Sequence, residues 1–291
     1  MSQTIVFIND REVDYRSATV SVFDYTVHCG IGLFESVLGV DRRLIFLDEH
    51  LDRIERSIKR LRLRKLNYNR ERIARILHRA VSRHPAKIKK VKLLLTQGYS
   101  PLWPGNRPGP KIVTIVVDYQ LQFVNQSLLI SPMTVHSDDP MRGNKTLNFM
   151  TEWLSQDAAI DEGYDQGMII NQQGHIAETG SANLFTVKNG ELYTPSLDSG
   201  GLPGIIRKEI IRLANTNRIP VHEIHMRPED LTSADEIFTT SSFKLIWPVV
   251  RIKLDQIYKF HPGPLSKALF ERLRSNFMTG KYEDRLKYSS K

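Results

Sequence analysis

The residues in this sequence that could do chemistry are a lysine in a loop, a carboxylate at a strand end, and two short runs of small or hydroxyl-bearing residues. Lys145 stands in Arg142-Gly143-Asn144-Lys145-Thr146-Leu147-Asn148-Phe149, just ahead of a segment whose apolar spacing predicts an amphipathic helix over 147–162. An amine held there can attack a carbonyl or carry a proton. Glu178 follows 33 residues later in Ala177-Glu178-Thr179-Gly180-Ser181-Ala182-Asn183-Leu184-Phe185, just past a predicted strand, where a carboxylate can be mounted rigidly. Leu202-Pro203-Gly204-Ile205-Ile206-Arg207 opens a predicted helix over 204–217, whose first backbone N–H groups lack intrahelical partners and favour an anion. Thr239-Thr240-Ser241-Ser242 follows a predicted strand and adds hydroxyl donors. Taken singly, each has a blander reading: a lone lysine is usually a solvated surface residue, and a lone glutamate a cap or a surface charge.

The elements that must position these residues fit an ordinary globular chain. Its 291 residues suffice for one large domain or two of ordinary size, with 41% apolar and 25% charged residues. The single cysteine, Cys29, excludes an intramolecular disulfide framework and suits a reducing cytoplasm. Met1-Ser2-Gln3-Thr4 has no basic segment followed by an apolar run, which predicts no signal peptide. No stretch approaches the length and apolarity of a membrane span. The formal net charge of +9 is concentrated over 53–92 and 281–291. Without an aromatic platform or nucleic-acid motif among those charges, they read as solvated basic helix faces, and no nucleic-acid partner is expected.

In chain order, strands are predicted at 4–8, with a turn at Asn9-Asp10, and at 32–40, paired with 43–47 across Asp41-Arg42. Asp48 reads as the N-cap of a helix reaching 63, and a second helix covers 69–83. Strands follow at 91–96 and 112–117, around a Pro/Gly-rich loop over 101–110, and 119–126 reads as a linker. A strand at 127–135 follows the linker, and beyond the Lys145 helix come strands at 166–171, 176–178, 184–188, 192–194, 221–225, 236–240 and 246–252, and a last helix at 265–277. The expected fold class is α/β (α+β): a small N-terminal domain over 1–120 and a larger C-terminal domain over 121–291, with the active-site loops between them.

The order and spacing of Lys145, Glu-x-x-Ser-x-Asn-Leu-Phe at 178–185, the Gly204 helix start and Ser241-Ser242 resemble the fold-type IV pyridoxal-phosphate enzymes. These class IV aminotransferases include branched-chain and D-amino-acid aminotransferases and aminodeoxychorismate lyase. The resemblance covers nearly the whole chain. It implies pyridoxal 5'-phosphate as cofactor, with Lys145 forming the imine and moving the substrate's α-proton, and Glu178 keeping the ring nitrogen protonated. It further implies Leu202 against the ring and Gly204, Ile205 and Ile206 at the phosphate. Ile206 stands where many relatives carry threonine, so one hydroxyl donor is missing. Arg53, in Glu49-His50-Leu51-Asp52-Arg53, matches the His-x-x-Arg arginine that pairs with phosphate, and Ser241 and Ser242 match the family's hydroxyl pair. Asn148 and Asn183 read as residues that pin loops.

Gly30-Ile31-Gly32-Leu33-Phe34-Glu35 corresponds to the strand that lines the substrate side, with Phe34 where many relatives have tyrosine. The arginine-x-histidine pair of D-amino-acid enzymes has no match in Thr96-Gln97-Gly98-Tyr99-Ser100-Pro101, whereas Gly98-Tyr99-Ser100 and Ile246-Trp247-Pro248-Val249 are closer to the lyases. His28, Arg107, Arg142 and Lys244 are candidate carboxylate binders whose commoner reading is surface or structural. The resemblance implies an aminotransferase acting on an amino acid and a 2-oxo acid, of branched-chain or D-amino-acid type, in a cytoplasmic homodimer. The alternative is a lyase releasing p-aminobenzoate and pyruvate on the same scaffold.

Overall fold

The computed structural model describes residues 3–63, 66, 68–99 and 109–280. Arg107, most of the 101–110 loop, the basic run over 281–291, and Met1 and Ser2 lie outside them. The chain divides into two compact units: Met1–Leu121 with Asn144–Phe149 and Asn276–Lys291, and Gln122–Gly143 with Met150–Ser275. The division near 120 drawn from sequence leaves the Lys145 segment in the C-terminal part; the contacts group it with the first unit.

The first unit is built on a six-stranded antiparallel sheet of β1 (Ile5–Ile8), β2 (Arg11–Val13), β3 (Gly32–Val40), β4 (Arg43–Leu44), β5 (Ile88–Thr96) and β6 (Ile112–Asp118), in the order β2-β1-β6-β5-β3-β4. Among the described residues it is accompanied by helices α1 (Tyr25–Cys29), α2 (Leu47–Arg60) and α3 (Arg70–Arg83). Strand alternation turns Leu33 and Val37 of β3 and Val91, Leu93 and Leu95 of β5 to one face. There they form one core with Leu51 and Ile54 of α2 and Ile73, Ile76 and Leu77 of α3. Each such buried side chain contributes about 1.5–3 kcal/mol relative to exposure.

Asn69 caps α3, its side chain accepting from Arg72 N at 2.7 Å. Asp48 is not the cap of α2. That position falls to Phe46 in a left-handed conformation (φ 55°), and Asp48 sits in the first turn, where it accepts from Arg70 Nη2 at 2.7 Å. Arg70 also pairs with Asp52 and Glu55, Arg72 with Asp10, and Arg83 with Glu12, so part of the basic run is matched by acids on α2 and on the β1-β2 hairpin. Helix α1 carried no strong periodic signal. Asp24 forms it by capping Thr26 N while also accepting from Thr96 Oγ1 and Gly98 N.

The second unit holds a nine-stranded mixed sheet of β7 (Gln126–Val135), β8 (Gln166–Asn171), β9 (Ile176–Thr179), β10 (Asn183–Lys188), β11 (Glu191–Pro195), β12 (Val221–Ile224), β13 (Glu236–Ser241), β14 (Leu245–Lys253) and β15 (Ile257–Lys259). The order is β12-β11-β10-β13-β14-β7-β8-β9, with β15 on β14. Its helices are α4 (Met150–Asp161), α5 (Ile205–Thr216) and α6 (Pro264–Thr279), whose last residues belong to the first unit. Leu128, Met168, Ile176, Leu184, Ile237 and Val249 form its core. The linker expected to 126 ends one residue early because Gln126 already begins β7, its side-chain amide bonding Thr239 Oγ1 and Trp247 O.

Helix α4 differs from expectation twice. It begins at Met150 rather than 147, because residues 146–147 are committed to β3. It also buries the small residues Ser155 and Ala159, while Met150, Trp153 and Ile160 are exposed. Gly167 of β8 explains the choice: a Cβ there would collide with the backbone and side chain of Ser155.

Candidate active site

Lys145 is held by backbone, as an added strand on β3. Phe34 N donates to Lys145 O and Leu147 N donates to Gly32 O, each at 3.0 Å, around an antiparallel bridge between Leu33 and Thr146. The glycines of Gly30-Ile31-Gly32 make room for this. Gly30 adopts φ 65°, and a Cβ on it would meet Asn148 Cα at 3.2 Å. A Cβ on Gly32 would lie 2.6 Å from both Leu147 Cδ1 and Leu95 O. Asn148 therefore packs through its main chain against Gly30, and its carbonyl accepts from Thr146 Oγ1 at 3.3 Å. Lys145 Nζ lies 4.3 Å from the centroid of the Phe34 ring, and Phe149 meets that ring edge-on at 5.6 Å. A second ammonium, Lys92 Nζ, is 4.7 Å from the same centroid, with its pKa lowered by desolvation.

Phe34 and Glu35 occupy opposite faces of β3, so the glutamate of this motif turns to the helical core rather than to the lysine. Glu35, His50 and Arg53 are all buried, at 1%, 2% and 4% exposure. Arg53 donates from Nε to Glu35 Oε1 at 2.8 Å and from Nη2 to Oε2 at 2.7 Å. Burial alone would raise the Glu35 pKa, but Arg53 and His50 outweigh it and hold the carboxyl well below the usual carboxylate range. Burial pushes the His50 ring down against the pull of Glu35, so it stays neutral. Its Nδ1 therefore carries the proton it donates to Glu35 Oε2 at 2.7 Å. Arg53, expected at a phosphate, is thus oriented from within by a fork to Glu35. An acid in an otherwise apolar strand, with His and Arg at helical spacing, was the signal for this clamp.

In the second unit, Glu178 lies within β9, not past its end, and is 8% exposed. Its Oε1 accepts from Arg142 Nη2 at 2.7 Å and its Oε2 from Leu202 N at 3.1 Å. Arg142 also donates from Nη1 to Glu152 Oε1 and from Nε to Gly200 O, each at 2.8 Å. Arg142 is therefore no surface residue. Sequence reasoning missed its bond to Glu178, and nothing in the sequence singled out Glu152.

The loop carrying Leu202 lies flush on β9 and β10. A Cβ on Gly201 would sit 2.6 Å from Ala177 O, and one on Gly204 would collide with Asn183 Oδ1. Asn183 pins the loop as expected, donating from Nδ2 to Leu202 O at 2.8 Å. Gly204 is the N-cap of α5, with no side-chain cap and no acid in the first turn, so the helix start keeps its attraction for an anion. Ile205 and Ile206 bury their side chains there, leaving backbone N–H groups as what these residues can offer. Asn183 pairs in register with Thr240, which places Ser241 and Ser242 just beyond. Ser241 Oγ accepts from Lys244 N at 3.3 Å, and Lys244 Nζ lies 4.5 Å from the Trp247 ring centroid and 3.3 Å from Ser181 Oγ. His28 is an exposed residue in the last turn of α1.

Within the second unit a fixed carboxylate and an uncapped helix start share one loop, through the Leu202 N–H bond to Glu178 and the Gly204 N-cap. One guanidinium, Arg142, bridges the carboxylates of Glu178 and Glu152. The uncapped α5 start suits a phosphate. The family model for amino-transferase class IV matches residues 32–252. The chain belongs to the class IV aminotransferase family.

This aminotransferase is 28% identical over 274 residues to a Methanocaldococcus jannaschii protein assigned as a branched-chain-amino-acid aminotransferase, covering 92% of this chain and 95% of that one. It is 28% identical over 273 residues to the D-alanine aminotransferase of Staphylococcus haemolyticus, covering 92% and 96%. Its fold matches that of the branched-chain aminotransferase of Thermoproteus uzoniensis at TM-score 0.86, 24% identity and 98% coverage of both chains. It also matches a Legionella pneumophila protein assigned as 4-amino-4-deoxychorismate lyase at TM-score 0.81 and 23% identity, covering 90% and 97%. The mixed α/β fold is thus that of the fold-type IV aminotransferases. Among the described residues, no helix is long and apolar enough to cross a membrane.

Proposed function

We propose that this aminotransferase uses pyridoxal 5'-phosphate, held by Arg53, Lys145, Glu178, Leu202, Gly204, Ile205, Ile206, Ser241 and Ser242. When bound, the group supplies an aldehyde for an amine and a ring that accepts electron density. Lys145 is the amine and the base that moves the substrate's α-proton. The β3 edge fixes its backbone, and its ammonium lies over the Phe34 ring, which Phe149 meets edge-on. Arg53, the α5 start and the Ser241-Ser242 pair take the phosphate, Leu202 packs on the ring, and Glu178 faces the ring nitrogen.

The observation that carries this reading is the fixed carboxylate of Glu178, held by Arg142 Nη2 and by Leu202 N on the loop that leads to the uncapped, anion-favouring start of α5. The substrates are an amino acid and a 2-oxo acid of the branched-chain or D-amino-acid kind, the reading favoured by the names of the relatives. Phe34 lies on the substrate side. The exposed Met150, Trp153 and Ile160 of α4 support a homodimer, and the single cysteine supports a cytoplasmic setting. The test mixes the cofactor-loaded protein with a panel of L- and D-amino acids and 2-oxoglutarate, beside an assay for p-aminobenzoate from aminodeoxychorismate. Transfer from at least one amino acid, abolished together with the visible cofactor band in Lys145→Ala, is expected. Release of p-aminobenzoate without amino transfer would overturn the assignment in favour of the lyase.

A further inference from the structure

Arg142 joins three parts of the second unit through one planar guanidinium. Nη2 holds Glu178 on β9, Nη1 holds Glu152 in the first turn of α4, and Nε holds the carbonyl of Gly200, two residues before the Leu202 N–H that also binds Glu178. Both the carboxylate and the loop leading to the α5 start are therefore set by one side chain, itself nearly buried. A lysine could not replace it, because an ammonium has no rigid fork of donors.

We propose that Arg142 is a positioning residue for amino-group transfer, and that Glu152 sets how strongly Arg142 holds Glu178 by competing for the same guanidinium. This rests on the reading that Glu178 faces a cationic ring nitrogen. The bonds above join three charged groups, Glu178 from β9, Arg142 from the loop before Lys145, and Glu152 from α4. The neighbouring strands bring uncharged groups: Gln166 on Thr179 and Asn183 on Leu202. Asp198 lies on the turn at Leu197–Ser199, and Lys244 is engaged at Ser181, three residues along from Glu178.

The two neighbours act on Glu178 in opposite senses. A guanidinium at 2.7 Å favours its charged form, and a second carboxylate drawing on that guanidinium weakens the effect. Removing Arg142 should make Glu178 easier to protonate, and removing Glu152 should make it harder. A residue that merely braced the loop would shift nothing with pH.

The test titrates full-length protein with pyridoxal 5'-phosphate between about pH 5 and 8.5 and reads affinity from absorbance, independently of turnover. In Arg142→Gln the acid limb of the affinity profile should move up by about one pH unit or more, a tenfold loss of affinity at the foot of the limb. In Glu152→Gln it should move down, and this conservative change keeps the test alive if Arg142→Gln folds poorly. Arg142→Lys should return the limb toward the parent position without restoring the parent affinity, since it returns charge but not the fork. The Lys145 amine and the phosphate also titrate in this range and contribute alike to every profile. Glu178→Gln should therefore flatten only the part of the limb that protonation of this carboxylate adds to theirs. If it does not, the reading of Glu178 against the ring nitrogen fails, and the proposal with it. If Glu178→Gln flattens that part of the limb while Arg142→Gln and Glu152→Gln leave it in place or move it the same way, the proposal alone is overturned.

Discussion

Gly32→Ala is a small change with a large expected effect. The new methyl would lie 2.6 Å from Leu147 Cδ1 and 2.6 Å from Leu95 O. The leucine side chain can rotate away. The carbonyl cannot, because it belongs to β5, which pairs with β3 from Gly32 to Val40. Overpacking of this kind costs about 1–3 kcal/mol. The protein can absorb the strain across the sheet or relieve it by shifting residue 32 away from Leu95 O, which pulls β3 off residues 145–147 and forfeits the two backbone hydrogen bonds to Lys145 O and Gly32 O. At a net of about 1 kcal/mol each, those bonds cost about as much as the strain they would relieve. Release is therefore competitive, and the variant should lose precision at Lys145 before it loses its fold. Hydrogen exchange of residues 145–149 should speed up by about ten- to a hundredfold, for about 1.4–2.8 kcal/mol of local opening. The urea midpoint should move less than a global loss of that size would require, and turnover should fall with the local change. Parent-like exchange together with parent-like turnover would refute the claim that this glycine seats the lysine.

The Glu35-His50-Arg53 clamp makes the first unit sensitive to acid. Glu35 has its pKa depressed by folding from an ordinary value of 4.5, so its stabilisation is full above that value and is lost as the pH falls below it. His50 is depressed from 6.5, so the loss already begins as the pH drops through that value and unfolded chains take up the proton. Urea midpoints between pH 7.5 and 4 should decline, and Glu35→Gln should lack only the further loss that sets in below about 4.5, since Glu35 pulls the His50 ring up and its removal does not spare the His50 part. Arg53→Ala should destabilise by about 3–5 kcal/mol by leaving Glu35 buried and unpaired, which a denaturation curve would register even without cofactor. Gly204→Ala drives a methyl into Asn183 Oδ1 and should weaken binding of pyridoxal 5'-phosphate, read by titration, far more than Gly190→Ala, where nothing lies within reach.

Much of the fold was legible because the apolar periods were clean. Ile73, Ile76, Leu77 and Ala80 announced α3, and Asn69 marked its start. Errors arose where a long-range partner overrode a local signal. Asp48 has the chemistry of a cap, but Arg70 claims its carboxylate. Leu147, Asn148 and Phe149 could have joined a helix, but β3 claims Leu147. Lys145 and Glu178 are singled out only through their motifs, since nothing local separates them from other lysines and glutamates. The partners that restrain them were harder to see. Glu35 stood out as an acid among apolar residues, whereas Glu152 sits on α4 with no pattern to mark it.

The attachment of Lys145 to a strand edge makes its position discrete. Pairing registers change in whole residues, and each single step turns every side chain to the opposite face. The bridge between Leu33 and Thr146 leaves Lys145 on the Phe34 side. A slip by one residue would present Thr146 in its stead and bury the amine's stem among the wrong neighbours, with no intermediate placement between the two. Insertions or deletions in the stretch from 136 to 144 should therefore be sorted by whether they preserve this pairing, not by their length. Those that keep it should leave the amine where it is however the loop is rebuilt, and those that shift it by one should lose activity outright rather than by degrees.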